Sequence, residues 1–176
     1  YTEQIIEEIK YVIGQVDDRE LERIAGKLSG VSRIFVTGEG RSGLMSKAFA
    51  MRLMHLGLTV YVIGETITPS LQKDDLLVAV SGSGTTKSVI DRVDKANQLG
   101  CQVVVFTASR ESKLASMCSE IVHIPAATKF RSSGEFETIQ PLGSLFDQSL
   151  HIVLDTVCLY VAKRNDEGNT EAMTRH

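Results

Sequence analysis

The chain has 176 residues and a formal net charge of -3, from 19 Lys and Arg against 22 Asp and Glu scattered along its length. No run of one sign builds a polyanion-binding face, so nucleic acid is a poor partner and an anionic ligand would have to be held by local loops. An apolar fraction of 43% excludes extended disorder, and the length favours one domain with one sizeable core.

In chain order, Ile5, Ile6, Ile9, Val12, Ile13 and Val16 recur at helical spacing and predict an amphipathic first helix. The stretch "DDRELERIAGKLSG" predicts a second helix, started by Asp17 or Asp18 and stopped at Gly30. From there short β-branched runs ("RIFVT", "TVYVIG", "DLLVAV", "CQVVVFT", "EIVHIP") alternate with helical segments ("SGLMSKAFAMRLMHLG", "TTKSVIDRVDKANQLG", "RESKLASMCS"). Strands apolar on both faces and separated by helices predict a parallel sheet covered on both sides. With right-handed crossovers this is a doubly wound α/β fold, a three-layer sandwich. "PAATKFRSSGEFETIQP" is a long polar connection of the kind that more often carries function than spans a gap. Leu142 to Ala162 reads as a helix apolar nearly all round from Leu150, buried in the core or between subunits. The expected division is 1–30 for the N-terminal helices, 31–125 for the α/β core, 126–141 for the long loop and 142–176 for a C-terminal helix and tail.

Three cysteines, Cys101, Cys118 and Cys158, cannot all pair and lie in apolar stretches without metal-ligand spacing. They read as reduced thiols of a cytoplasmic protein, and no metal site is expected. No apolar run reads as a membrane span and no signal peptide is visible, so no membrane partner is expected either.

Two loops carry the chemistry. "GEGRSG", Gly38 to Gly43, joins the first strand to a helix and has the form of a dinucleotide fingerprint, with Glu65 about 20 residues on as the ribose acid. "SGSGTTKS", Ser81 to Ser88, joins the third strand to the next helix; it is one residue short of a Walker A loop, and no strand supplies a magnesium ligand. Glycines admit an anion to the N–H groups of a helix start, and Ser81, Ser83, Thr85 and Thr86 supply more hydroxyls than one cap requires. In a 2-1-3-4-5 strand order the first and third strands are neighbours at the switch point, so both loops would line one crevice. A shared phosphorylated ligand explains both loops, whereas a dinucleotide leaves the second one unused. Arg41 reads either as a bidentate phosphate ligand or as a solvated loop charge, and Ser42 as a cap able to serve the ligand too.

"GEGRSGLMSKAFAMRLMHLG", "GETITP", "SGSGTTKS" and "TIQPLGSLFDQ", taken together and in order, resemble the sugar isomerase (SIS) domain, and more narrowly the 6-phospho-3-hexuloisomerases. The resemblance runs from the first helix to the last residue. It implies a five-stranded flavodoxin-like sheet with extra N- and C-terminal helices, and a homotetramer with active sites between subunits. The implied activity is a cofactor-free interconversion of 3-hexulose 6-phosphate and fructose 6-phosphate, the second step of the ribulose monophosphate route of formaldehyde fixation. Ser42, Ser81, Ser83 and Thr86 stand at the family's phosphate-binding positions, with Gly40, Arg41 and Gly82 beside them. The family usually has a small residue where this chain has Glu39, here either an extra acid in the crevice or a solvent-facing one. Family members also tend to continue past the position of His176 into a short tail ending in Leu-Glu.

Moving a carbonyl from C3 to C2 through a cis-enediolate needs a base and a donor beside the oxygens. Glu65 is the first candidate base, with capping or a lysine pair as its other reading. His55 reads as a base or as a packed helix residue. His176 would have to reach a neighbouring subunit's crevice. Glu137 and Gln140 are placed to touch sugar hydroxyls, Asp147 is a weaker candidate, and His123 and His151 read as structural.

Overall fold

The computed structural model describes residues 1–118 and 120–176. Its elements run α1 (Thr2–Ile13), α2 (Asp18–Ser29), β1 (Ile34–Thr37), α3 (Gly40–His55), β2 (Val60–Val62), β3 (Leu76–Val80), α4 (Lys87–Leu99), β4 (Gln102–Thr107), α5 (Lys113–Ser116), β5 (Glu120–His123), α6 (Ser144–Asn165) and α7 (Asn169–Met173). The five strands form one parallel sheet in the order β2-β1-β3-β4-β5, with Phe35 opposite both Tyr61 and Leu77. β1 and β3 are therefore neighbours, as the doubly wound reading requires.

The period-two alternation of each strand divides the core. Ile34, Val36, Leu76, Val78, Val80, Val104, Phe106 and Val122 face one layer with α1, α2, α3 and α6. Phe35, Leu77, Ala79, Val103 and Val105 face the other with Val89, Val93 and Ala96 of α4 and Leu114 of α5. The layers are unequal because the chain does not add a strand after β5. It crosses back over 124–143 and lays α6 on the α3 face. Asp17 caps α2, its carboxylate accepting from Arg19 N at 2.9 Å, and Gly30 follows the last turn.

Three expectations change. Among the described residues of "RESKLASMCS", only Lys113–Ser116 form a helix, the single turn of α5, started by Ser112, whose Oγ accepts from Ala115 N; Ser119 lies outside the described residues. Val16 lies past the end of α1, which closes at Gly14. The 22 residues of α6 are long and apolar enough to cross a membrane by length and composition, contrary to the sequence reading. Here Leu145, Leu150, Val153, Leu154, Val157 and Val161 of that helix are buried in the core instead.

Candidate active site

The turn from β1 into α3 brings two glycine backbones into contact: a Cβ on Gly43 would lie 2.8 Å from the Gly38 carbonyl oxygen. Any side chain there would force the loop open, so the α3 N-terminus stays tight against the end of β1. In the loop after β3, Ser81 Oγ accepts from Gly84 N at 3.1 Å and lies 2.9 Å from Thr86 Oγ1. Ser83 Oγ accepts from Thr85 N at 3.3 Å and lies 2.9 Å from Thr85 Oγ1. Gly84 sits at φ +65°, and a Cβ there would overlap the Ser112 side chain. These bonds fold the hydroxyls back towards the N-terminus of α4.

α6 supplies a third helix start. Its first residues follow Gly143, and among the described residues none of α3, α4 or α6 has a side-chain cap. All three open onto one cavity of about 300 Å³. Gly40, Arg41 and Ser42 enter it from α3, and Ser81, Gly82, Ser83 and Thr86 from the loop before α4. Thr128 and Lys129 come from the long connection, and Gly143, Phe146 and Asp147 from the start of α6. Uncapped N–H groups with the positive ends of three helix dipoles make a strong anion site. Arg41 and Lys129 add cationic charge.

The cavity also holds two carboxylates. Asp147 is 5% exposed; its Oδ1 accepts from Ser42 Oγ at 2.6 Å and its Oδ2 lies 3.8 Å from Arg41 Nε. Burial raises its pKa above the ordinary aspartate value, and the Ser42 bond and the Arg41 charge only partly offset that. Glu39 Oε1 accepts from Ser88 Oγ at 2.8 Å and from Arg92 Nη1 at 2.7 Å. The Ser88 bond, with the Arg92 charge behind it, holds Glu39 below the usual carboxylate range despite some burial.

Seven of the eight residues predicted to bind substrate thus line this cavity; Gln140 does not. Its amide donates to Glu8 Oε2 at 3.0 Å and its carbonyl accepts from Arg131, so it braces the long loop against α1. Glu137 is exposed on the same loop.

The three candidate bases lie elsewhere in the chain. β2 is an edge strand, and the chain leaves it through Gly64 at φ +100°, which carries Glu65 away from the crevice. Glu65 is half-exposed, 2.7 Å from Lys47 Nζ, in a separate groove floored by Phe35 and Ile63. Its alternative reading, a lysine pair, is the arrangement found. His55 ends α3, whose first residue is at the cavity, so the 16-residue helix places it about 22 Å away. The His55 ring is buried and stacks on His176 at 5.2 Å between centroids; burial, then Arg52 and His176, lower its pKa. Arg175 holds the tail there by donating to the His55 carbonyl and to Glu167. His123 bonds the Ala108 carbonyl at 3.0 Å, and His151 lies 3.6 Å from Asp155 on the surface of α6.

The sequence does not single out Thr128, Lys129 or Phe146, and it makes Asp147 only a weaker candidate. Lys129 is one cation in an irregular loop, which no periodicity places. Asp147 had a legible signal: it stands in the first turn of a helix that follows the Gly-Ser of "PLGSLFDQ", where a helix start would face the carboxyl edge of the sheet.

A SIS domain model matches residues 27–152. A Bacillus subtilis protein named 3-hexulose-6-phosphate isomerase is 37% identical over all of this chain and 95% of its own. A Mycobacterium gastri protein of the same name is 38% identical over 97% of this chain and 85% of its own. The crystal structure of a Methanococcus jannaschii protein, inferred to be a 3-hexulose-6-phosphate isomerase, superposes with a TM-score of 0.86 at 29% identity, covering 99% of this chain and 96% of that one. The chain therefore belongs to the SIS domain family, and within it to the group of relatives named 3-hexulose-6-phosphate isomerase.

Proposed function

We propose that the chain, as one SIS domain, isomerises D-arabino-3-hexulose 6-phosphate to D-fructose 6-phosphate without a cofactor, through a cis-enediolate. The observation that carries this is a buried carboxylate, Asp147, in the same cavity as three uncapped helix N-termini and a serine loop. The phosphate is held by the α3 and α4 amides with Ser81, Ser83 and Thr86, and Arg41 closes over it. This fixes the distance from the phosphate to the carbonyl end of the open-chain sugar. Asp147 removes the C2 proton to give the enediolate with its charge on O3; the O2 hydroxyl proton then passes to O3, and Asp147 returns its own proton to C3 as the carbonyl forms at C2. A base with a raised pKa suits this exchange, because it must release the proton as readily as it takes it. The α6 N-terminus and Lys129 supply positive potential for the enediolate oxygen. The similarity to proteins named for this activity supports the reaction; the assignment of Asp147 rests on the cavity geometry.

Within the reading, the step belongs to the ribulose monophosphate route in the cytoplasm, and the working unit is a homotetramer with its sites near subunit interfaces. Leu44, Met51 and Met54 on α3 and Ile152 and Leu159 on α6 are exposed apolar residues that support such packing. In such an assembly His55, Glu65 and His176 act towards a neighbouring chain.

The test is turnover. 3-Hexulose 6-phosphate, made in place from ribulose 5-phosphate and formaldehyde, should yield fructose 6-phosphate with the wild-type chain. A rate no higher than that of Ser83→Ala would overturn the proposal.

A further inference from the structure

Glu39 is difficult to reconcile with an anion site. It is the N-cap residue of α3 and lines the cavity within the region where three helix starts concentrate positive potential. A free carboxylate there would repel a phosphate dianion and compete with it for the same amides. Its position is set from α4, not from its own loop. Ser88 and Arg92, one turn apart on that helix, both donate to Glu39 Oε1, at 2.8 and 2.7 Å. The same Arg92 Nη1 donates to Thr37 Oγ1 at 2.8 Å, so the guanidinium is fixed at the end of β1 and cannot follow the carboxylate outward. Arg92 itself lines the neighbouring groove and not the cavity.

We infer that Arg92 is a positioning residue for the phosphate site: it draws Glu39 onto α4 and cancels its charge, so that a bound phosphate does not meet an unpaired carboxylate. The inference rests on the phosphate-binding reading above, but not on the isomerase chemistry. It makes Arg92 matter only while Glu39 carries a charge. A purely structural arginine would matter regardless.

The experiment uses the full chain and its Arg92→Met, Arg92→Lys, Glu39→Gln and Glu39→Gln/Arg92→Met variants, with inorganic phosphate as the probe in equilibrium titrations. Arg92→Met is expected to weaken phosphate binding about tenfold, and less at high salt. Arg92→Lys should stay within about threefold, and the double variant should return to within about threefold of wild type. For turnover, Arg92→Met should raise KM for the sugar phosphate by a similar factor with kcat little changed. Unchanged phosphate binding in Arg92→Met would overturn the inference and leave the proposed function standing. So would a double variant as weak as Arg92→Met, because the loss would then be structural. A wild-type chain that binds phosphate normally but turns over no sugar phosphate would overturn the function and leave the inference intact.

Discussion

Asp147 is the proposed base, and its burial has two consequences of opposite sign. A carboxylate whose pKa is raised in the folded state binds its proton more readily there than in the unfolded chain. Its favourable contribution to stability is full below the unfolded pKa and is lost as pH rises through the folded one. At neutral pH the ionised group is therefore a cost, and Asp147→Asn, which keeps an acceptor for Ser42, should melt at a higher temperature than wild type. On the proposed mechanism the same substitution removes the base, so kcat should fall by about 10² to 10⁴-fold. In the wild type, kcat/KM should fall on acidification with an apparent pKa above the aspartate reference of about 3.9. Thermal unfolding and a pH-rate profile on one preparation check both; a variant neither more stable nor less active would remove Asp147 from the mechanism.

At the scale of elements, the strands and the two glycine loops could be read from the sequence because periodicity and turn chemistry act over a few residues, whereas the strand order came from the fold class that the resemblance implies. Ser81 and the tight turn of "GEGRSG" follow from such local signals. The long connection could not be read in the same way. Gln140 and Thr138 find Glu8 about 130 residues away, and Arg131 ties the loop to the Thr128, Gln140 and Leu142 carbonyls. Such contacts have no sequence period, and they decide that Lys129 rather than Gln140 reaches the cavity. A single feature, the positive-φ turn at Gly64 beyond a three-residue edge strand, sets Glu65 outside the cavity, and no sequence period announces it. Two tests belong here. Glu8→Ala removes three hydrogen bonds to the loop, from Thr138 Oγ1, Ile139 N and Gln140 Nε2. It should lower stability by about 1 kcal/mol and speed hydrogen exchange across 128–142; protection equal to wild type would show that the loop is held otherwise. Gly84→Ala adds a side chain at positive φ against Ser112. It should weaken phosphate binding more than about tenfold, or prevent folding outright.

For the whole molecule, the unequal layers follow from α6 returning to the α3 face, and that return completes the cavity. It also leaves Leu44, Met51, Ile152 and Leu159 outside the core. If the tetramer forms through this face, Met51→Glu with Leu159→Glu should shift the mass measured by light scattering from tetramer towards monomer or dimer, with the helical signal retained. An unchanged mass would place the interface elsewhere.

The proposed reaction passes through an enediolate between C2 and C3, formed in a cavity that also holds the phosphate. Incubating the wild-type chain with fructose 6-phosphate in deuterium oxide and following each carbon-bound proton by NMR tests it most directly. Loss of the C3 proton signal with wild type, and its retention with Asp147→Asn, is the predicted result. Exchange at C1 would mean a different sugar-phosphate isomerase, and binding with no exchange at any carbon would mean a phosphosugar-binding module that performs no isomerisation.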